Sequence, residues 1–497
     1  MNSSAHISQL ENIQRREFLK RATALSMAGS AAPFALSLSA MGEAAASNAT
    51  DYKALVCIFL YGGNDHDNTF IPFDNASYAS YQSLRNLNNI DSDRPQDSIY
   101  LASDKLTVLN PVSGQNTGRQ YAVQSAMSDV ANLFQAGHLG VQLNVGPLVK
   151  PTNKAQFIAA QPGDLPPKLF SHNDHFTLWQ SGTLNGVEGT TKGWGGRLGD
   201  IFLRNNGFNS NAHFTCINAN GNAVFLSGSN VFSYQVTGSG PIPINSVGNA
   251  LSVYGSSDCR NALQSLLKPG TTPSHWMEKE WARIVSSSID NQKIASDGIA
   301  NFSSTDSFFQ TDTLSAQMNI IAKLIGAAAT PVSALGVKRQ VFFAALGGFD
   351  LHDNLMNNHK DLLQKVNDAM YSFYQATEQL GIADQVTTFT ASDFGRTLSS
   401  NGDGSDHGWG SHHMVMGGAV DGGKFWGTAP DLSTTDNALN GPDTVGQGRL
   451  LPSTSVDEFA AALARWMGVS PSDLITVLPN YANFLNRTPL PIFKAIS

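Results

Sequence analysis

The sequence predicts an α/β protein, a doubly wound and mostly parallel sheet carrying an inserted polar and helical segment. Apolar runs that read as buried strands alternate with stretches of helical spacing, and that β-α-β order makes a parallel sheet with helices on its faces. Three of the runs also end on an aspartate beside glycine. Leu55-Val-Cys-Ile-Phe-Leu-Tyr61 runs into Gly62-Gly63-Asn64-Asp65, and Val341-Phe-Phe-Ala-Ala-Leu346 runs into Gly347-Gly348-Phe349-Asp350. Val386-Thr-Thr-Phe-Thr390 leads to Ser392-Asp393-Phe394-Gly395-Arg396. Open α/β sheets bind ligands at the carboxyl ends of their strands, so the pattern predicts carboxylates gathered at one edge.

Taken in order, residues 51–61 read as the first strand and residues 76–84 as a short helix. Val123, Met127, Val130, Leu133 and Phe134 predict a helix over 120–137, and residues 139–145 a second strand. The stretch 207–272 is rich in Asn, Ser and Gly, with short β-like pieces such as Ala223-Val-Phe-Leu226, and reads as an inserted loop or small β subdomain. Helices over 274–299 and 308–324, and a small-residue linker ending at Pro331, extend this insertion over about 207–330. The sheet pattern resumes at Val337. Leu362, Leu363, Val366, Ala369, Met370, Phe373, Ala376 and Leu380 mark an amphipathic helix closed by Gly381, which makes 341–389 a further β-α-β unit. A strand follows at 413–420. Ser455 with Glu458 three residues on is a capping box that opens a last helix, ending at Gly468.

The first residues speak to compartment. Gln14-Arg15-Arg16-Glu17-Phe18-Leu19-Lys20 is close to the twin-arginine export pattern, followed by a small-residue apolar stretch and Ala44-Ala45-Ala46-Ser47 as a cleavage site. Residues 1–47 therefore read as a leader recognised by the twin-arginine translocase, and the mature chain from 51 to 497 as one periplasmic or extracellular domain. Gly29 and Pro33 interrupt the apolar stretch, which is too weak for a stable membrane span. The leader holds four basic and three acidic side chains, so losing its net +1 takes the formal charge from −8 to −9. No basic stripe with interleaved aromatics occurs, which argues against nucleic acid. Only 14% of residues are charged, a polar but uncharged bias that suits an exported protein. The three cysteines, Cys57, Cys216 and Cys259, exclude a fully paired framework. Cys57 reads as a buried apolar residue, and a Cys216–Cys259 bridge is left open.

Asp65, Asp350 and Asp393 each have two readings, cap of a following helix or ligand of a cation. His352 lies two residues from Asp350, where an extended backbone would point both side chains the same way. His407 sits in Gly404-Ser405-Asp406-His407-Gly408-Trp409-Gly410, a loop that presents an imidazole without crowding it. His412 and His413 are weaker candidates. Ser171, ahead of a short helix over 176–180, is either an N-cap or a nucleophile. Arg396 and Arg197 are either clamps for an anionic substrate or members of structural ion pairs.

Gly-Gly-x-Asp near the mature N-terminus, Phe170-Ser-His with Trp179-Gln180, Gly193-Trp194-x-x-Arg197, Gly347-Gly-Phe-Asp-x-His352, Ser392-Asp-Phe-Gly-Arg-Thr397 and Asp406-His-Gly-Trp409 occur in that order. From about Lys53 to near Pro491 the chain thereby resembles the bacterial exported family called domain of unknown function 1501. That family is similar to the alkaline phosphatase and sulfatase superfamily. The resemblance implies an alkaline phosphatase-like core with two metal positions at the strand ends. It implies Asp65 and Asp393 on one metal with Ser171 as nucleophile, and Asp350, His352 and His407 on the other. The chain departs from the superfamily at Phe394, where a histidine is usual, and in the spacing of the second site and the nucleophile.

The expected function is thus an exported, metal-dependent hydrolase of phosphate or sulfate esters, loaded with zinc, calcium, manganese or magnesium. Ser171 and Arg396 would act on an anionic ester. The competing expectation is a non-catalytic envelope protein of the same fold that binds a surface polymer or protein. A periplasmic oxidoreductase has little support, because no Cys-x-x-Cys, haem or phosphate-cradling glycine motif occurs.

Overall fold

The computed structural model describes residues 52–86, 98–112, 119–183, 190–204, 208–221, 223–243, 253, 255–267, 276–330 and 332–495. The twin-arginine segment and its cleavage site lie outside the described residues.

Strand β1 (Lys53–Leu60) opens the chain, followed by β2 (Phe70–Pro72) and helix α1 (Asn75–Arg85), which Asp74 caps by accepting from the Ser77 N–H. Then come β3 (Leu106–Leu109), β4 (Tyr121–Gln124), α2 (Ser128–Gln135), β5 (Leu139–Gly146), α3 (His172–Ser181) and α4 (Trp194–Arg204). The middle of the chain supplies β6 (Cys216–Asn218), β7 (Tyr234–Thr237), β8 (Gly240–Pro241), α5 (Trp276–Ile299) and α6 (Thr313–Ala328). It continues through β9 (Arg339–Leu346), α7 (Leu355–Gln379), β10 (Val386–Ser392), β11 (Arg396–Ser400), β12 (Ser405–His407) and β13 (Ser411–Met416). It closes with β14 (Phe425–Trp426), β15 (Thr454–Ser455) and α8 (Val456–Trp466), whose Ser455–Glu458 capping box is formed in both directions.

The described strands of the main sheet run β14-β5-β13-β10-β1-β9-β6-β7-β8, with β15 also on β5. β1 lies at its centre and pairs in parallel with β9 on one side and β10 on the other. β13 runs antiparallel to both β10 and β5, so the sheet is mostly rather than wholly parallel.

Period-2 alternation explains why these strands read as unbroken apolar runs. Ala54, Val56, Ile58 and Leu60 of β1 join one core cluster, while Leu55, Cys57 and Phe59 join the other. Each face needs a cover. Met318, Ile321 and Ile325 of α6 and Leu363, Val366, Met370 and Phe373 of α7 seal the first face. Trp179, Trp194, Leu198, Phe459 and Ala460, from α3, α4 and α8, seal the second. Helix α7 connects β9 to β10 across β1, which is what brings three strand ends together.

Several expectations change. Residues 120–137 are not one helix: the first part is β4, which pairs with β2 and β3 and turns through Ser125–Met127 into α2. Helical spacing beginning at Val123 arose because a strand's inward residue and the helix that follows feed the same core cluster. The region expected as an insertion contributes β6, β7 and β8 to the main sheet, with Cys216, Ile217 and Asn218 alongside Val341, Phe342 and Phe343. Ala223-Val-Phe-Leu226 forms a tight 3-10 turn, not a strand. Cys57 and Cys216 are buried, Cys259 is exposed, and all three are free thiols, so there is no Cys216–Cys259 bridge.

Candidate metal centre

The ends of β1, β9 and β10 lie in register, with Leu60 beside both Leu346 and Ser392. Ser392 ties them further by donating to Leu60 O at 2.7 Å and accepting from Asn64 N–H at 2.8 Å. Gly62 turns the chain away from β1 at φ +112, and a Cβ there would stand 2.3 Å from Asp350 N, so only glycine permits the approach. Its own N–H donates to Asp393 Oδ2 at 3.0 Å.

Over these strand ends stands the first residue of α3, His172. Its Nδ1 is 2.7 Å from Asp393 Oδ2, and its Nε2 is 3.0 Å from His407 Nε2 and 3.4 Å from Asp350 Oδ2. His407, on the β12 strand of the β11–β12 hairpin, donates from Nδ1 to Phe170 O at 2.8 Å, and its Nε2 is 3.4 Å from Asp350 Oδ1. His352 stands at the rim, its Nε2 3.0 Å from both Asp350 Oδ1 and His407 Nε2, and its Nδ1 3.3 Å from Asp406 Oδ1. His172, Asp350 and His407 bring one ligand atom each within 4.8 Å of one another.

Hydrogen bonding assigns the tautomers. With Nδ1–H of His172 directed at a carboxylate and that of His407 at a carbonyl, each neutral ring carries a bare lone pair at Nε2. Two lone pairs then face each other at 3.0 Å beside a carboxylate, an arrangement that repels unless a cation or a proton lies among them. Zinc bonds of about 2.1 Å at tetrahedral angles put ligand atoms about 3.4 Å apart, and here the two Nε2 atoms are 3.0 Å apart and each is 3.4 Å from a different oxygen of Asp350. Asp393 and the Phe170 carbonyl orient the rings, as outer-shell partners of metal-bound histidines do. The donor set fits a divalent cation.

The remaining groups hold this geometry. Phe394 is fully buried with its ring 4.6 Å from that of His172 and 4.7 Å from that of His407, so it forms the wall on which both imidazoles rest. A Cβ on Gly63 would meet that ring at 2.5 Å, which explains the second glycine. Phe170 adopts φ +69, rare for an aromatic residue, and this turns its carbonyl to His407. Burial opposes charge on His172, but Asp393 outweighs it and raises the imidazole pKa. Burial lowers that of His407. Burial likewise opposes ionisation of Asp350, yet Arg396 holds its pKa below the ordinary value. The His172, His352 and His407 side chains are 27–40% exposed, so the centre opens to solvent.

The three predicted aspartates have different fates. Asp350 lies beside His352 and His407, its Oδ1 3.0 and 3.4 Å from their Nε2 atoms. Asp393 supports His172 instead of standing among the converging atoms. Asp65 is fully buried in a bidentate pair with Arg85, at 2.7 and 3.0 Å, and does not reach the cluster. Ser171 occupies the N-cap position of α3, yet its hydroxyl donates to Asp174 Oδ2 at 2.6 Å. Arg396 is fully buried with every side-chain nitrogen engaged: Nε and Nη2 on Ser405, Nη1 on Gly62 O and Asp350 Oδ1. It positions Asp350 and has no edge left for a substrate. Arg197 bonds the carbonyls of Val477, Lys192 and Ser181 and ties α4 to its neighbours. His412 and His413 are buried in the sheet, where burial pushes the His413 pKa down to about 3.

His172 is the residue the sequence reading missed. Its signal was present in the Phe170-Ser-His motif, where the adjacent hydroxyl looked like the reactive group.

Residues 331–478 match the family model described as Protein of unknown function (DUF1501). This supports the DUF1501 resemblance over a stretch that carries Asp350, His352, Asp393, Arg396 and His407, while His172 and Asp65 lie outside it. No curated protein matches the chain. Among solved structures it is similar to Ps i-CgsB in complex with k-i-k-neocarrahexaose, at 10% identity and TM-score 0.33 over 85% of this chain and 73% of that one. It is also similar to the C-terminal periplasmic domain of EcEptC from Escherichia coli in complex with Zn, at 9% identity and TM-score 0.29 over 84% and 83%. Similarity at these scores carries no weight for chemistry. No helix among the described residues is long and apolar enough to cross a membrane.

Proposed function

We propose that the protein is an exported, metal-dependent hydrolase of phosphate or sulfate esters, similar to alkaline phosphatases and sulfatases. The observation that carries this reading is the pair of inward-facing Nε2 atoms of His172 and His407, 3.0 Å apart beside Asp350. A two-nitrogen, one-carboxylate set favours zinc or another first-row ion over magnesium or calcium. His172, His407 and Asp350 would hold one cation, with His352 adjacent. A bound cation would polarise an ester oxygen and lower the pKa of an attacking water. The chain's own contribution is to fix each neutral ring in the Nδ1–H form, through Asp393 and the Phe170 carbonyl, so that Nε2 is the ligating atom, and to hold Asp350 through Arg396. At Asp65, which the resemblance pairs with Asp393 on one metal, the Arg85 guanidinium supplies a positive charge instead.

The test is elemental analysis of protein exported and folded in its own host, followed by turnover on a panel of phosphate and sulfate esters. About one zinc, manganese or similar ion per chain, lost in His172→Ala, supports the reading. Metal-free protein that stays folded and inert after loading sinks it. The non-catalytic envelope reading has one observation in its favour, the internal engagement of Ser171 Oγ and of the Arg396 guanidinium. Bound metal with tight envelope binding and no ester turnover would select it.

A further inference from the structure

We propose that Arg449 recognises the anionic group of the substrate at this centre, an inference that rests on the hydrolase reading. The sequence offered Arg396 and Arg197 for that task, and both spend their hydrogen bonds inside the protein. Arg449 differs. Its Nε donates to His407 O at 2.7 Å, and its guanidinium carbon lies 4.8 Å from the centre of the Phe170 ring. Its two terminal nitrogens make no hydrogen bond or ion pair among the described residues.

Both contacts belong to the metal centre. His407 contributes a converging Nε2, and the Phe170 carbonyl sets the tautomer of that same imidazole. Arg449 is therefore held, by one hydrogen bond and one aromatic face, to the two residues that fix one side of the centre. The backbone that carries it is closed as well, with Arg449 N donating to Gly446 O at 3.0 Å and its carbonyl accepting from Val445 N at 2.8 Å. A guanidinium held this way loses little freedom on binding, and its terminal fork matches two oxygens of a phosphoryl or sulfuryl group.

Charge points the same way. The Arg449 guanidinium is half-buried, and no carboxylate stands within ion-pair distance of it among the described residues. A half-buried cation without such a partner bears a desolvation cost that the protein does not fully compensate. An incoming oxyanion supplies that compensation. Asp350, Asp393 and Asp406 ring the centre with negative charge, so a cationic group beside it is also what lets an anion approach.

The experiment uses the mature, metal-loaded protein and its Arg449→Gln and Arg449→Lys variants, with metal content measured in each. Inorganic phosphate and sulfate binding is read by calorimetry, and KM and kcat are read on anionic esters and on a neutral carboxylic ester. Arg449→Gln should weaken oxyanion binding and raise KM for anionic esters roughly 10- to 100-fold, with kcat and the neutral ester changed far less. Arg449→Lys should fall between the two. Metal content should stay the same. Unchanged oxyanion affinity in a metal-replete Arg449→Gln protein overturns the proposal. So does loss of metal in that variant, because Arg449 would then serve only to position His407. Arg449-dependent oxyanion binding by a protein that turns over no ester would uphold the anion site while removing the hydrolase reading.

Discussion

The same four-residue pattern, Gly-Gly-x-Asp at the end of a parallel strand, meets opposite fates at its two occurrences. After β1, Asp65 is sealed from solvent, and Arg85 from α1 closes on both carboxylate oxygens, itself anchored to Leu398 O and Thr397 O. After β9, Asp350 remains 46% exposed and faces imidazoles on three sides. Both are carboxylates at the carboxyl edge of one sheet. What separates them is the partners that the rest of the fold brings: Arg85 closes on both oxygens of Asp65, whereas Arg396 takes one oxygen of Asp350 and leaves the carboxylate open to three imidazoles. A strand-end motif thus sets position, and the neighbouring element sets chemistry.

The comparison breaks most sharply at Arg85. Arg85→Met should lower unfolding stability by about 3–5 kcal/mol, because Asp65 would be left charged and unpaired in the interior. Chemical denaturation measures it, and metal content per folded chain should not change. A loss under about 1 kcal/mol would mean that Asp65 finds other company and that the two motifs are less different than they look.

Asp350→Ala is the counterpart. We expect metal affinity to fall at least 100-fold while stability falls by about 1–2 kcal/mol, since the half-exposed side chain buries little but its loss leaves the buried Arg396 guanidinium with carbonyl and hydroxyl partners alone. Titration with a competing chelator gives the affinity. Equal losses in both quantities would make Asp350 a structural ion pair with Arg396 and nothing more.

Asp393→Asn should have a milder effect, an affinity loss of about 10- to 100-fold, as for outer-shell partners of metal-bound histidines. A change as large as that of Asp350→Ala would promote Asp393 to a direct ligand.

The smallest effect concerns pH. Burial disfavours charged His172, but Asp393 prevails, so the folded pKa lies above 6.5. In metal-free protein, protonated His172 contributes stability in full below about 6.5, and that contribution fades as pH rises through the folded pKa. Metal competes with the same proton, so binding should weaken as pH falls through the folded pKa. Asp393→Asn should move that midpoint to lower pH. A midpoint indifferent to Asp393 would remove His172 from the centre.

Much of the sheet was legible in advance because burial on both faces leaves a plain trace. β1, β5, β9 and β10 are short apolar runs closed by glycine or a turn, and the α7 crossover carries an unbroken 3.6-residue pattern. Legibility failed where one residue served two patterns, as at Val123, and where a polar stretch supplied edge strands. β6 is only three residues long, and its pairing with β9 depends on partners more than a hundred residues away.

The site divides along the same line. Asp350, His352 and His407 could be selected from sequence, because the first two are neighbours in the chain and the third sits in a glycine-rich loop. His172 was not, because the Phe170-Ser-His motif that holds it drew attention to the adjacent hydroxyl, and the partners of its imidazole, Asp393 and His407, lie more than two hundred residues away. Sequence alone determined that carboxylates end three strands, because glycine beside aspartate is local chemistry. Only the tertiary structure decided which carboxylate meets Arg85, which meets imidazoles and which orients one, because those partners come from α1, α3 and the β11–β12 hairpin. Contacts across such separations are chosen by packing, and packing is a property of the whole chain.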